Sequence, residues 1–265
     1  MKPYSVWTPQ FVPWSGGIRV MHALVDALKK KGQQVLINAI IKDQDFIAIY
    51  PELAHGNPLQ GNEVVRWILS WPGFIGGGPT KFDKTDKIFV FSKIYNTFGV
   101  DDDHIMFLPA IDVNIFHRTN FGKRTKKCKY VSKGVDLNLK ELEGVEELHK
   151  EMAVDQQALA DYLNECEVLY SYDPASAIFE CARLCGCRVV IIPPKPYAHS
   201  EHGTMTKKEF SQYEPGMNGI SWGLKENVPL DADKFMEHYI SMIMEFDQKL
   251  NKFISITQGG GEDAI

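Results

Sequence analysis

A short turn and the helix predicted to follow it carry the residues best suited to chemistry. Asp173 precedes the turn, and Glu180 lies one helical turn beyond it. The turn itself consists of four small residues, which are Pro174, Ala175, Ser176 and Ala177. Small residues let a diphosphate approach the unpaired N–H groups at the start of a helix, and a carboxylate can accept hydrogen bonds from both hydroxyls of a ribose. The pattern therefore predicts a site for a nucleotide that carries a diphosphate, such as a sugar nucleotide.

Apolar residues around the turn predict the elements that position it. Asp155 is a favourable N-cap for a helix over residues 156–165, and residues 168–170 form a short apolar strand. After the turn, a second helix ends at Gly186, where a left-handed C-cap is expected, and residues 189–192 continue as a buried strand. This succession is a βαβ unit of a parallel sheet, in which ligands bind outside the carboxyl ends of the strands.

The segment from Tyr170 to Pro193, YSYDPASAIFECARLCGCRVVIIP, resembles the carboxy-terminal donor-binding motif of GT-B-type glycosyltransferases. This resemblance implies that Glu180 is the second glutamate of the family's Glu-x7-Glu pattern, the one that holds the ribose. The first glutamate of that pattern falls at Tyr172 or Asp173. Asp173 is thereby implied as a shorter substitute that contacts the transferred sugar.

Two earlier segments resemble the amino-terminal domain of the same family. The segment SVWTPQFVPWSGGIRVMHALVDALKKKGQQVLI is similar to its opening strand, Gly-Gly loop, helix and second strand. The segment VVRWILSWPGFIGGG resembles the apolar strand and Pro-Gly turn of family-four-like enzymes of the bacterial polysaccharide type. The resemblance implies that the backbone amides of Gly16 and Gly17 approach the phosphates or the transferred sugar. An ordinary strand-to-helix turn is the alternative for this Gly-Gly pair.

The resemblance implies an α/β fold with two Rossmann-like domains facing a cleft, which is the GT-B arrangement. We expect residues 1–118 to form the acceptor-side domain and residues 119–232 to form the domain that binds the nucleotide sugar. An apolar stripe from Phe235 to Phe253 predicts a long terminal helix, and residues 233–256 are expected to pack back on the first domain. Residues 257–265 lack apolar periodicity and are expected to form a flexible tail.

Positive charge is needed beside a nucleoside diphosphate, because the leaving group gains negative charge as the glycosidic bond breaks. Lys133 follows a predicted strand and resembles the lysine or arginine that these transferases place in the first loop of the donor domain. A solvated loop lysine is the alternative. Arg118, Lys123 and Arg124 are further candidates for the same role. With a lysine and helix amides in place, no metal ion or other cofactor is required besides the sugar-nucleotide donor.

Histidines in two loops are candidates for contacts with substrate. His55 lies with Glu52 in the loop YPELAHGNPLQGN, which is expected to face the acceptor. There His55 would act as a base or contact a sugar, and a plain surface loop is the alternative. His199 and His202 lie in a long polar loop that forms either a lid over the nucleotide or a metal site.

Composition restricts the classes of partner. The 265-residue chain has 44% hydrophobic and 24% charged residues, as is usual for a soluble globular protein. Its net charge of −5 argues against a nucleic-acid partner. No apolar run approaches the ~20 residues of a membrane span, so we expect a cytoplasmic protein, for which peripheral membrane contact stays open. Five cysteines, an odd number, predict reduced thiols rather than a disulfide framework.

Together these features predict a glycosyltransferase that moves a sugar from a nucleoside-diphosphate donor to a saccharide or lipid-linked acceptor, with retention of configuration as in most similar enzymes. Two alternatives stay open. A catalytically silent transferase-like subunit, or a nucleotide-sugar-binding protein, is compatible with the short chain and with Asp173 in place of glutamate. A sugar-nucleotide epimerase could use the same cleft, but it would need carboxylates on both sides of the pyranose.

Overall fold

The computed structural model describes residues 1–132, 136–192 and 205–259. The chain forms two compact units. The first unit contains Met1–Phe11, Gly17–Ala110 and Ser241–Ile265, and the second unit contains Val12–Gly16 and Ile111–Ile240. Each unit has a parallel β-sheet of its own, and the two units are described separately below.

The sheet of the first unit has five parallel strands in the order β2-β1-β3-β4-β5. The strands are β1 (Tyr4–Val6), β2 (Val35–Ile37), β3 (Ile47–Pro51), β4 (Glu63–Ile68) and β5 (Lys87–Val90). Because the chain moves outward from β1 to β2 and then returns to the other side of β1, the strand order reverses between β1 and β3. Such a reversal is the topological switch point at which open α/β sheets bind ligands.

Helix α1 (Gly16–Lys30) connects β1 to β2. Its apolar stripe packs on the sheet, and the buried members are Val20, Met21, Leu24, Val25 and Leu28. Lys29 and Lys30 occupy its last turn, where positive charge is favourable against the helix dipole. Gly32 follows the helix with φ +74°, the left-handed conformation that suits a glycine after a helix end.

The sheet of the second unit also has five parallel strands, in the order β10-β9-β8-β6-β7. The strands are β6 (Lys126–Tyr130), β7 (Glu146–Glu147), β8 (Cys166–Ser171), β9 (Arg188–Ile191) and β10 (Ile220–Trp222). Counted along the chain, this is the same order as in the first sheet, with the second strand outside the first and the third on its other side. The switch point of the second unit therefore lies between β6 and β8.

Four further helices complete the described part of the chain, namely α2 (Gln156–Glu165), α3 (Ile178–Leu184), α4 (Lys207–Phe210) and α5 (Ala232–Thr257). The prediction for α2 is confirmed, including its cap, because Asp155 Oδ1 accepts a hydrogen bond from the N–H of Ala158 at 2.9 Å. The predicted end of α3 is also confirmed, since Gly186 has φ +80°.

The long terminal helix is confirmed as α5, and its two parts belong to different units. In the second unit, the Tyr239 hydroxyl accepts a hydrogen bond from the N–H of Ile111 at 3.0 Å. In the first unit, Phe253 packs edge-on against Phe89, with ring centroids 4.7 Å apart. Each part of the helix thus packs in its own unit through a buried aromatic residue.

The predicted fold class is confirmed at the level of an α/β protein with two parallel, Rossmann-like sheets. The apolar segment HIMFLPAIDVNIF, residues 104–116, predicts a further strand followed by a crossover, but this strand is wrong, because the segment contributes only an isolated bridge between Val90 and Ile105. The predicted limits 1–118, 119–232, 233–256 and 257–265 stay predictions. Among the described residues, no helix combines the length and the apolar character needed to cross a bilayer.

Candidate functional site

The turn predicted to bind a diphosphate follows the carboxyl end of β8 in the second unit. Asp173 is fully buried, and its Oδ1 accepts a hydrogen bond from the N–H of Ala175 at 3.1 Å. The Ser171 hydroxyl donates to the Asp173 carbonyl at 2.8 Å and accepts from the Asp173 N–H at 3.2 Å. These bonds turn the chain sharply at the end of the strand, as Asx turns do. The Asp173 carboxylate therefore shapes the turn.

The small residues of the turn differ in exposure. Pro174 is buried, whereas Ala175, Ser176 and Ala177 are partly exposed. The N–H of Phe179 donates to the Ser176 carbonyl at 3.2 Å, so the turn leads directly into α3. The backbone ahead of α3 accordingly carries only small side chains of its own and is partly exposed, as a close-approaching ligand requires.

Tyr130 lies at the end of β6, on the other side of the switch point. Burial raises the pKa of its hydroxyl, while hydrogen bonds with Ser132 and Ser176 act in the opposite direction. The negative charge of Asp173 also contributes to this raised pKa. The adjoining Ser132 has φ +46°, a conformation that costs energy for a residue with a side chain and that concentrates at functional sites. Three hydroxyl groups and a buried carboxylate therefore meet between β6 and β8.

Glu180 lies in the first turn of α3, where a negative charge is favourable against the helix dipole. Only 2% of its surface is exposed. Glu180 is therefore not a solvated surface carboxylate. The carboxylate belongs instead to the buried side of the helix.

Arg183 follows Glu180 by one helical turn and is fully buried. Its Nη1 donates to the carbonyl oxygens of Pro215, Gly216 and Asn218 at 3.2, 2.8 and 3.1 Å. The guanidinium carbon lies 3.9 Å from the centroid of the Phe235 ring, within range of a cation–π interaction. Burial lowers the pKa of Arg183 to about 10, and the attraction of Glu180 partly opposes this shift. Arg183 thus joins α3 to the loop 215–218 and to α5.

The two predicted loop glycines belong to different units. Gly16 lies in the second unit, where a Cβ atom added to it would come 3.5 Å from the Cβ of Ala177. Two of the predicted substrate-binding residues are therefore neighbours. Gly17 lies in the first unit, and a Cβ atom added there would come 3.6 Å from Cδ1 of Leu69.

His55 is exposed in the loop that follows β3. Its Nε2 is hydrogen-bonded to the carbonyl oxygen of Gly77. Glu52, which precedes it at the end of β3, is 2% exposed and accepts a hydrogen bond from the N–H of Leu69 at 2.9 Å. Glu52 therefore joins the carboxyl ends of β3 and β4, while His55 remains accessible to a ligand.

The predicted cations are placed as follows. Lys133, His199 and His202 lie outside the described residues. Lys123 is exposed. Arg124 donates to the carbonyl of Cys185 at 3.0 Å, which puts it at the carboxyl end of α3 and away from the turn at its amino end. Cations are favourable at that end of a helix, so Arg124 has a structural role.

The five cysteines of the chain all lie in the second unit. All five cysteines are free and buried. Burial raises the pKa of the Cys185 and Cys187 thiols, which makes them unreactive packing groups. Within the described ranges, no three His, Cys, Asp or Glu side chains are grouped as metal ligands.

Two cavities lie elsewhere. One, of about 590 Å³, is in the first unit and is lined by Glu63 and Lys87 at the amino ends of β4 and β5. The other, of about 700 Å³, surrounds the start of α5 in the second unit, beside Arg118. Asp173, Glu180 and the turn between them line neither of these two cavities.

The sequence prediction did not include three buried residues that lie in the site or bind its loops, namely Arg66, Tyr130 and Arg183. Arg66 carries a usable signal, because it is a lone charge inside the apolar segment VVRWIL, whereas Arg183 shares the segment FECARL with Glu180. Charged residues are almost never fully buried unless they are paired. Tyr130 carries no such signal, since an aromatic residue at the end of a strand is ordinary.

Comparisons with known proteins give no family assignment: no family model matches the chain, and no curated protein is similar enough to count as a match.

Proposed function

We propose that this chain is a glycosyltransferase of the GT-B type, which transfers a sugar from a nucleoside-diphosphate donor to a saccharide or lipid-linked acceptor. The donor binds the second unit and the acceptor binds the first. The proposal includes the facing arrangement of the two units, retention of configuration and a cytoplasmic location.

One observation supports the donor site above all others. The partly exposed turn from Ala175 to Ala177 lies at the switch point of the second sheet, between Tyr130 on β6 and Glu180 on α3. Ligands of open α/β sheets bind at such points, outside the carboxyl ends of the strands. The turn also has Gly16 as a neighbour, so two backbone segments without bulky side chains flank the same space.

In this proposal, the backbone of the turn, with Pro174 at its start, binds the diphosphate, and the hydroxyl groups of Ser132 and Ser176 supply further hydrogen bonds. Lys133 contributes positive charge, and no metal ion is required. Gly17 and Gly16 leave room for the transferred sugar, which Asp173 contacts.

Glu180 receives the ribose hydroxyls in the same proposal. Because the carboxylate is 2% exposed, contact with ribose requires its side chain or the turn to shift when the donor binds. A hydrogen bond formed in such a water-poor setting is electrostatically stronger than one formed in water.

The proposal is tested by isothermal titration of the full-length chain with UDP, GDP and ADP, with and without Mg²⁺. We expect one nucleoside diphosphate to bind more tightly than the corresponding monophosphate, because the diphosphate adds contacts with the turn. Absence of binding to every nucleotide would overturn the proposed function.

A second measurement separates the enzyme from its alternatives. Sugar nucleotides are incubated with the protein, with and without saccharide acceptors, and the products are separated by chromatography. Release of nucleoside diphosphate that increases with acceptor supports a transferase. Conversion of one sugar nucleotide to another indicates an epimerase, and binding without turnover indicates a silent subunit.

A further inference from the structure

A buried arginine on the first sheet donates hydrogen bonds to the backbone of the turn that carries His55. Arg66 projects from β4 and is 2% exposed. Its Nη1 donates to the carbonyl oxygen of Ala54 at 2.8 Å, and its Nη2 donates to the carbonyl oxygen of Gly56. These are the residues directly before and after His55. One guanidinium group thereby fixes the backbone on both sides of the histidine.

A carboxylate and two aromatic rings in turn contact the guanidinium group of Arg66. Its Nε donates to Asp86 Oδ2 at 2.7 Å, and the side chains of both residues are only 3% exposed. The guanidinium carbon lies 4.9 Å from the ring centroid of Tyr50 and 5.2 Å from that of Phe82. A planar cation in contact with two aromatic rings, with a carboxylate bound to its Nε, has one strongly preferred orientation.

The hydrogen bond of His55 to Gly77 determines which ring nitrogen is available. A carbonyl oxygen only accepts hydrogen bonds, so Nε2 of His55 must carry the hydrogen. In the neutral ring, Nδ1 is then the nitrogen with a free lone pair.

We propose that Arg66 is a positioning residue for His55, and that it holds the ring so that Nδ1 accepts a hydrogen bond from a hydroxyl group of the sugar acceptor. The inference rests on the proposed function, in which the first unit binds the acceptor. Asp86 supports the same role by fixing the guanidinium group.

The ring geometry is tested first, by a measurement that needs no activity. Long-range ¹H–¹⁵N NMR spectra of the full-length chain report which nitrogen of His55 is protonated, with the His55→Gln variant providing the assignment. We expect a single Nε2–H tautomer in the native protein and an averaged signal, shifted towards that of solvated histidine, in Arg66→Met. Arg66→Lys keeps the positive charge but cannot reach both carbonyl groups, so we expect an intermediate signal.

A matched control exists in the same unit. Arg19 donates to the carbonyl of Ala110 at 2.9 Å, so Arg19→Met also removes an arginine bound to the backbone. The His55 signal should be unchanged in this variant. An Nδ1–H tautomer in the native protein, or a native-like signal in Arg66→Lys and Asp86→Asn, would overturn the inference, and these outcomes do not depend on whether Arg66→Met folds.

Transfer kinetics provide the second test. Arg66→Lys should lower kcat by up to about 100-fold, the effect expected of misplacing a substrate contact by about 1 Å, while the dissociation constant of the donor nucleotide stays unchanged. A parallel loss of donor binding contradicts a positioning role for Arg66. If the native chain binds no nucleotide, the proposed function fails, while the NMR result still decides the geometry of His55.

Discussion

Each unit buries an arginine, but the two guanidinium groups are stabilised in different ways. Arg66 lies on a strand of the first unit and is paired with Asp86 at 2.7 Å. Arg183 lies on a helix of the second unit, where three backbone carbonyl groups and the Phe235 ring surround it. The first arginine has a full counter-charge beside it in its buried position, whereas carbonyl dipoles surround the second, and burial lowers the pKa of Arg183 to about 10.

The difference corresponds to what each arginine holds in place. Arg66 fixes a loop through two carbonyl groups and needs Asp86 to compensate its charge. Arg183 fixes a loop through three carbonyl groups and exerts its charge on Glu180. Arg66 thus forms a buried ion pair with Asp86, whereas the charge of Arg183 acts on Glu180 in the candidate donor site.

The strand ends beside the switch points of the two sheets also differ, in how accessible their backbone is. In the first unit, Glu52 at the end of β3 is engaged by the N–H of Leu69. In the second unit, the end of β8 leads into a partly exposed turn of small residues. Of these two strand ends, the second leaves backbone accessible to a ligand, which favours the second unit as the donor side.

The largest expected effect comes from Asp86→Leu, which removes one partner of the buried pair in the first unit. Leaving a buried guanidinium group unpaired should lower the free energy of unfolding by about 3 to 5 kcal/mol, measured by urea denaturation. The double variant Arg66→Met with Asp86→Leu should recover most of this loss, because it removes the buried charge as well. No recovery in the double variant would contradict the account of Arg66 as a buried, paired charge.

A smaller loss is expected for Arg183→Met in the second unit. Carbonyl groups that lose their donor cost stability, but the substitution also removes a buried charge, so we expect the free energy of unfolding to fall by about 2 to 3 kcal/mol. The measurement is again urea denaturation. A loss equal to that of Asp86→Leu would show that the two arginines are stabilised to the same extent despite their different partners.

Glu180→Gln tests the role of the candidate site directly. Replacing the charged acceptor by a neutral one should weaken binding of a nucleoside diphosphate by about 1 to 3 kcal/mol, measured by isothermal titration. Glu167→Gln is the matched control, because Glu167 is exposed on β8, and it should leave the affinity unchanged. If a 2′-deoxynucleotide shows the same loss in Glu180→Gln as the ribonucleotide does, Glu180 does not contact the 2′-hydroxyl.

The smallest effects concern partly exposed carboxylates, one in each unit. Hydrogen bonds from Lys2 and Lys87 lower the pKa of Glu63, and a hydrogen bond from Lys129 lowers the pKa of Asp136. A carboxyl group with a lowered pKa stabilises the folded state at neutral pH, and this contribution is lost as the pH falls through the folded-state pKa. We expect Glu63→Gln and Asp136→Asn each to cost below about 1 kcal/mol.

Acid titration checks this last expectation. The difference in unfolding free energy between native protein and each variant should be present at about pH 7 and should be lost as the pH falls through the lowered folded-state pKa of the carboxyl group. Glu63→Gln should have the larger effect, since Glu63 has two lysine partners and Asp136 has one. A difference that persists in acid would show that the carboxylate charge is not the cause.

Local elements were predictable wherever neighbouring residues along the chain determine them. The N-cap at Asp155, the left-handed glycine at Gly186 and the stripe of α5 depend on contacts within a few residues, and all three are confirmed. The strand predicted within residues 104–116 failed, because pairing requires a partner from a distant part of the chain. Only the bridge at Ile105 forms there.

The candidate site was predictable in part. The turn and Glu180 were located from spacing, but the burial of Glu180 was not, since burial depends on segments 30 or so residues away in the chain, such as the loop that Arg183 holds. The contribution of Tyr130 also required the structure. Its position opposite the turn follows from the pairing of β6 with β8, which the intervening β7 and α2 conceal in the sequence.

The sequence alone determined helices α2, α3 and α5, strand β8 and the small-residue turn, because periodicity and capping act over short distances. The tertiary structure alone decided that both sheets share one strand order, that the turn lies at a switch point, and that Arg66 and Arg183 become buried. These features follow from the pairing of strands and the packing of loops that are far apart in the chain. Their free energy is gained only when all the partners are assembled.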